Sequence, residues 1–153
     1  MPQPKVVFVV GHSNWGKSQT LRALTSGNSH TKRAVISGIK FFIRRMSNDD
    51  KPESFIDFMN SLDPDDLPCV IAALCPNFED PEKGTTEVLQ KLRDAGYKLY
   101  FWVMEQKYGS KQKVTSRELS KLREFGKVEL FSVEVEAADR AKNFIAFIER
   151  SVA

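Results

Sequence analysis

KVVFVVGHSNWGKSQTLRAL, Lys5 to Leu24, changes character twice. A short, almost wholly apolar run of β-branched and aromatic residues, Lys5 to Val10, has the length and composition of a buried strand. Gly11 to Ser18, GHSNWGKS, then supplies two glycines five positions apart, followed by a lysine and a hydroxyl. The remainder returns to helix-compatible spacing. Strand, glycine turn and helix in immediate succession is the opening of an α/β unit.

Outward from this unit the pattern repeats. Apolar segments of strand length recur at Ile39 to Arg45, Cys69 to Leu74, Lys98 to Met104 and Lys127 to Val133. Between them Phe55, Phe58, Met59 and Leu62 fall at i, i+3, i+4 and i+7, as do Ala141, Phe144, Ile145 and Ile148, so each set forms one apolar helix stripe. Val88, Leu89, Leu92 and Ala95 precede Gly96, and Leu119, Leu122 and Phe125 precede Gly126; both glycines suit a helix C′ position. Strands such as VVFVV, VIAAL and LYFWVM are apolar almost throughout, as expected of parallel strands covered on both faces. The expected fold is a three-layer α/β/α sandwich, with a five-stranded, mainly parallel sheet, in a single domain over residues 1 to 153. SLDPDDLP reads as a helix-to-strand loop.

Composition narrows the function classes. With 41% hydrophobic and 28% charged residues the chain is of ordinary globular type. Its apolar runs fall short of the roughly 20 residues that cross a bilayer, so no membrane partner is expected. MPQPK carries no apolar export segment, and the expected location is the cytoplasm. Cys69 and Cys75 are the only cysteines and lack a neighbouring CxxC pair or His cluster, so they read as buried thiols. The net charge of +3 conceals an asymmetry. Residues 1 to 51 hold nine Lys/Arg against two Asp, while residues 52 to 82 hold eight Asp/Glu and no base. KRAVISGIKFFIRR supplies part of a basic, aromatic-bearing face, but no nucleic-acid-binding motif accompanies it, so nucleic acid is not the favoured partner.

In an α/β sheet, ligands bind beyond the carboxyl ends of the strands, and GHSNWGKS occupies the first of these ends. Gly11 and Gly16 let backbone N–H groups curl around an anion at a helix start. The intervening His12, Ser13, Asn14 and Trp15 present those N–H groups, with Gln19 just beyond. An accidental match to GxxxxGK[ST] in a chain of this length has a chance of about half a percent. With its flanking strand and helix, the stretch VVFVVGHSNWGKSQTLRAL resembles the P-loop NTPase superfamily. The resemblance implies that a nucleoside triphosphate lies on the loop, with Lys17 reaching the β- and γ-phosphates and the Ser18 hydroxyl coordinating Mg²⁺.

The superfamily's second metal group, an Asp closing an apolar strand, has no counterpart after VIAAL, where Cys75, Pro76 and Asn77 stand. Asp49 and Asp50 closing the second predicted strand, Asp80, and Glu105 are the acids that could replace it. GHSNWGKS also resembles the GxxNxGKS form of Era-like GTPases, but no DxxG or NKxD follows, so ATP is favoured over GTP. Small-molecule and nucleotide kinases resemble the chain in size, in acids after the second strand, and in a basic loop after the fourth. In EQKYGSKQKVTSR, Lys107, Lys111, Lys113 and Arg117 with a Gly109 hinge match that loop. The kinase resemblance implies that Asp49 or Asp50 orients an acceptor or holds water on Mg²⁺, and that Glu53 to Asp66 flanks a small-molecule or nucleotide acceptor. Trp15 either packs on a neighbouring loop or caps the nucleotide. The alternative is a nucleotide-binding switch with little turnover, motivated by the missing acid.

Overall fold

The computed structural model describes residues 3–12, 15–25, 32–106, 112–131 and 137–152. In chain order the elements are β1 (Lys5–Val10), α1 (Lys17–Ala23), β2 (Arg33–Ile36), β3 (Ile39–Arg44), α2 (Pro52–Asn60), β4 (Cys69–Leu74), a 3₁₀ turn (Pro81–Lys83), α3 (Thr85–Asp94), β5 (Lys98–Met104), α4 (Ser116–Phe125), β6 (Gly126–Phe131) and α5 (Ala137–Ser151). The chain is an α/β protein with one mostly parallel sheet, ordered β2-β3-β4-β1-β5-β6.

β1 lies centrally, paired in parallel with β4 and β5, so that Val7 is flanked by Ile71 and Tyr100. Every residue of β1 and β4 is buried, which explains why, Lys5 apart, their sequences are apolar throughout. β3 and β6 extend the parallel set outward. α1 packs with α5, while α2, α3 and α4 pack in succession. Trp102, stacked on Phe131 and edge-on to Phe144 of α5, anchors one face, and Phe8 stacks on Phe101.

Among the described residues the sheet has six strands, not five. The added strand is β2, antiparallel to β3 through a turn at Ser37 and Gly38, both with positive φ. Such a two-residue turn matches the twist of a hairpin. Being a short edge strand with Arg33 and Val35 exposed, β2 lacks the apolar run that betrays the central strands. Gly96 ends α3 as expected, with φ 104° and Tyr97 N–H donating to the Leu92 carbonyl. Gly126 instead opens β6 in extended backbone. A Cβ there would lie 2.1 Å from the Leu99 carbonyl oxygen, so close strand approach, not a helix end, requires this glycine.

Candidate functional site

The loop leaving β1 is built by close approach. Gly11 N–H donates to the Leu74 carbonyl at 3.1 Å, and a Cβ on Gly11 would sit 2.9 Å from the Met104 methyl. Trp15 is 5% exposed and meets the His12 ring edge-on at 5.2 Å. It therefore packs within the loop while also lining its mouth. Gly16 has φ 91°, a left-handed turn that favours glycine, and starts α1. A Cβ at Gly16 would be 2.7 Å from the Arg140 guanidinium of α5. Arg140 Nε donates to Thr20 Oγ at 3.0 Å, and Thr20 Oγ donates to the Gly16 carbonyl at 2.8 Å. The last helix thus braces the turn.

Lys17 is the first residue of α1 and is 6% exposed. Its ammonium folds back across the loop, donating to the carbonyls of Gly11 at 2.6 Å and His12 at 2.9 Å. Burial lowers its pKa, while Cys75, Asp50 and Asp49 oppose that shift. Trp15, Gly16, Lys17, Ser18, Gln19, Arg22 and Asp50 line one cavity of about 330 Å³ beyond the carboxyl ends of the sheet. Trp15 to Gln19 of the anticipated loop and one anticipated acid, Asp50, therefore share this cavity, whereas Gly11 and His12 do not line it. Ser13 and Asn14 lie outside the described residues.

The two adjacent acids behave differently. Asp50 Oδ2 accepts from both the Ser47 N–H at 3.0 Å and the Ser47 hydroxyl at 3.2 Å, and Asp50 lines the cavity. Asp49 turns to Lys83, 3.3 Å away, and its N–H donates to Ser47 Oγ. Asp80 caps the 3₁₀ turn by accepting from Glu82 N–H, which accounts for its place in a loop. Glu105 follows β5, its backbone joined to Phe131 and Val114. Among the described residues neither Asp80 nor Glu105 lines this cavity.

Asn48 gave no signal in the sequence, yet it anchors the acidic loop. It is fully buried, accepts from Cys75 N–H at 2.7 Å, and donates to the Cys75 carbonyl and the Thr85 hydroxyl, each at 3.0 Å. The β3–α2 loop is thereby fixed to the end of β4. Cys69 and Cys75 are free and buried, as expected. Burial pushes the Cys75 thiol up to about 11 against the opposing pull of Lys17. Cys75 Sγ is 3.8 Å from His12 Nδ1, and His12 Nε2 donates to Glu118 Oε1 at 3.0 Å. Glu118 also closes a capping box with Thr115 at the start of α4, so His12 links the glycine loop to α4.

Lys107, Gly109 and Lys111 of the basic loop lie outside the described residues. Lys113 pairs by backbone with Gln106, and Arg117 forms an exposed pair with Glu79 at 3.3 Å. A larger hollow of about 670 Å³, lined by Lys51, Pro52, Glu53, Ser54 and Glu82, adjoins the Ser47–Asp50 turn. The start of the Glu53 to Asp66 segment thus borders a cavity. Among the described residues no three His, Cys, Asp or Glu side chains gather as a metal cage, and no helix is long and apolar enough to cross a membrane. No protein-family model, curated protein or solved structure matches the chain.

Proposed function

We propose that this chain binds a Mg²⁺-complexed nucleoside triphosphate, with ATP as the favoured nucleotide, on Gly11 to Ser18. It then transfers the terminal phosphoryl group to a small acceptor, or to water. The observation that carries this is the convergence of Lys17, Ser18 and Asp50 on one cavity. A lysine and backbone N–H groups would meet phosphate oxygens there, and an acid lines the same cavity.

Mg²⁺ takes oxygen ligands, keeps several waters, and is commonly held by one or two protein groups together with substrate phosphates. The Ser18 hydroxyl, together with phosphate oxygens and waters, fits that habit, which leaves Asp50 on the same cavity to act on the acceptor. Bound there, the ion would neutralise charge on the phosphates. Lys17 leaves the Gly11 and His12 carbonyls and turns its ammonium to the nucleotide. An acceptor oxygen forms its bond to the γ-phosphorus as the bond to the β–γ bridging oxygen breaks. The nucleoside diphosphate leaves, and Asp50 takes the acceptor proton.

A second function is favoured by a separate contact. The His12–Glu118 link joins the loop to α4, and a ligand that moves His12 would bias α4 with or without turnover. Calorimetric titration with ATP and GTP, with and without Mg²⁺, followed by phosphate release in the same samples, separates the two. Steady release supports phosphotransfer or hydrolysis. Tight binding without release supports the switch, and no binding of either nucleotide refutes both.

A further inference from the structure

The β2–β3 hairpin sets cations and aromatic rings in one row. In its antiparallel register Arg33 pairs with Phe42 and Val35 with Lys40, so these four share one sheet face. Arg44, two residues beyond Phe42, lies on it too. The alternate residues Ile36, Phe41 and Ile43 are buried. The Arg33 guanidinium lies 5.5 Å from the centre of the Phe42 ring, Phe42 stacks on Phe58 of α2 at 5.7 Å, and the Arg44 guanidinium lies 5.1 Å from Phe58. Arg44 is held by donating to the Ser54 hydroxyl at 2.6 Å. Arg33, at the sheet edge, is exposed, as are Lys32 and Lys40, and Val35 is 65% exposed.

Residues 1 to 48 hold no acid. Among the described residues Lys32, Arg33, Lys40 and Arg44 belong to no ion pair, and neither do Glu53 and Asp57 of the adjoining α2. The hairpin therefore keeps its positive charge beside an exposed apolar side chain and a planar group able to stack. Sequence order hides this row, because Phe58 comes from α2 and Arg33 meets Phe42 only across the hairpin.

We infer that this face of the hairpin binds single-stranded nucleic acid. Lys32, Arg33 and Lys40 complement the phosphodiester charge, while unpaired bases stack on the Arg33 guanidinium plane and pack against Val35. A duplex keeps its bases stacked within, so it offers that plane little beyond phosphate charge. None of these residues lines the cavity that holds Lys17, so the inference stands apart from the nucleotide-binding proposal.

The test is a fluorescent single strand of about 12 nucleotides, of mixed sequence and without terminal phosphate, titrated with the full chain at several salt concentrations and followed by anisotropy. Saturable binding that weakens with salt is expected. Arg33→Gln and Lys40→Gln should each weaken it at least about threefold and lower the slope of log affinity against log salt by about 0.7. Val35→Glu, which places a carboxylate beside Lys40, should weaken it about tenfold or more. Lys127→Gln removes an exposed cation from β6 at the opposite sheet edge and should change it by less than about twofold. Absence of binding at low salt, equal weakening by Lys127→Gln, or equally tight binding of the corresponding duplex overturns the inference. So does capture of anionic phospholipid vesicles in place of the strand. Binding lost only in Lys17→Ala would put the strand on the glycine loop and overturn it as well. ATP is absent from these samples, so failure of the nucleotide proposal leaves the outcome unaltered.

Discussion

Lys17 and Asp50 line the same cavity, each already held by backbone groups. The ammonium rests on the carbonyls of Gly11 and His12, and the carboxylate is fixed by the Ser47 N–H and hydroxyl. Asp50 is thus ordered before a ligand arrives, while Lys17 has to exchange its two carbonyl contacts for ligand oxygens.

Asp50 and Asp49 should separate in function. Asp50→Asn should lower turnover by about 100-fold or more, the range for loss of a general base. Asp49→Asn breaks the Lys83 pair, which is partly exposed, and should change turnover by less than about threefold. Steady-state phosphate release from both variants checks this. Equal losses would show that both carboxylates serve the reaction.

Asn48→Ala should destabilise the fold by about 3 kcal/mol, because it strands the buried N–H and carbonyl of Cys75. Urea unfolding at neutral pH measures it. A loss below about 1 kcal/mol would mean that water replaces the amide.

How far the sequence revealed this arrangement depended on burial. β1, β4 and β5 announce themselves because both sheet faces are covered and nearly every side chain is apolar. β2 escapes because Arg33 and Val35 at the sheet edge face solvent, leaving the Ser37–Gly38 turn as its only mark. GHSNWGKS is legible since its glycines answer a backbone requirement. Asp50 was one of several acids with equal standing, and what singles it out is the Ser47 cap, a contact invisible to periodicity. Asn48 and Arg140 had no signal, since their roles depend on partners far along the chain.

Stability should fall as pH rises from 9 toward 11. Burial raises the Cys75 thiol from 9.0 to about 11 in the folded state. The unfolded chain therefore ionises first, and stability present below pH 9 is lost as pH rises through the folded value. Tyr97, raised to about 12 by burial and donating to the Leu67 carbonyl, acts in the same direction above pH 10. Lys17, whose pKa is lowered, has the opposite sign and partly offsets the loss. Urea midpoints at pH 8 and 11 should differ less in Cys75→Ala than in the parent chain. An unchanged difference would place the alkaline sensitivity elsewhere.

The central claim is that the folded-back ammonium of Lys17 serves a nucleoside triphosphate. Calorimetric titration of Mg²⁺·ATP into the parent chain and into Lys17→Ala tests it most directly. Saturable one-to-one binding that weakens about 100-fold, roughly 2.7 kcal/mol, in the variant is the predicted result. Binding of equal strength to both chains, or to neither, would contradict it.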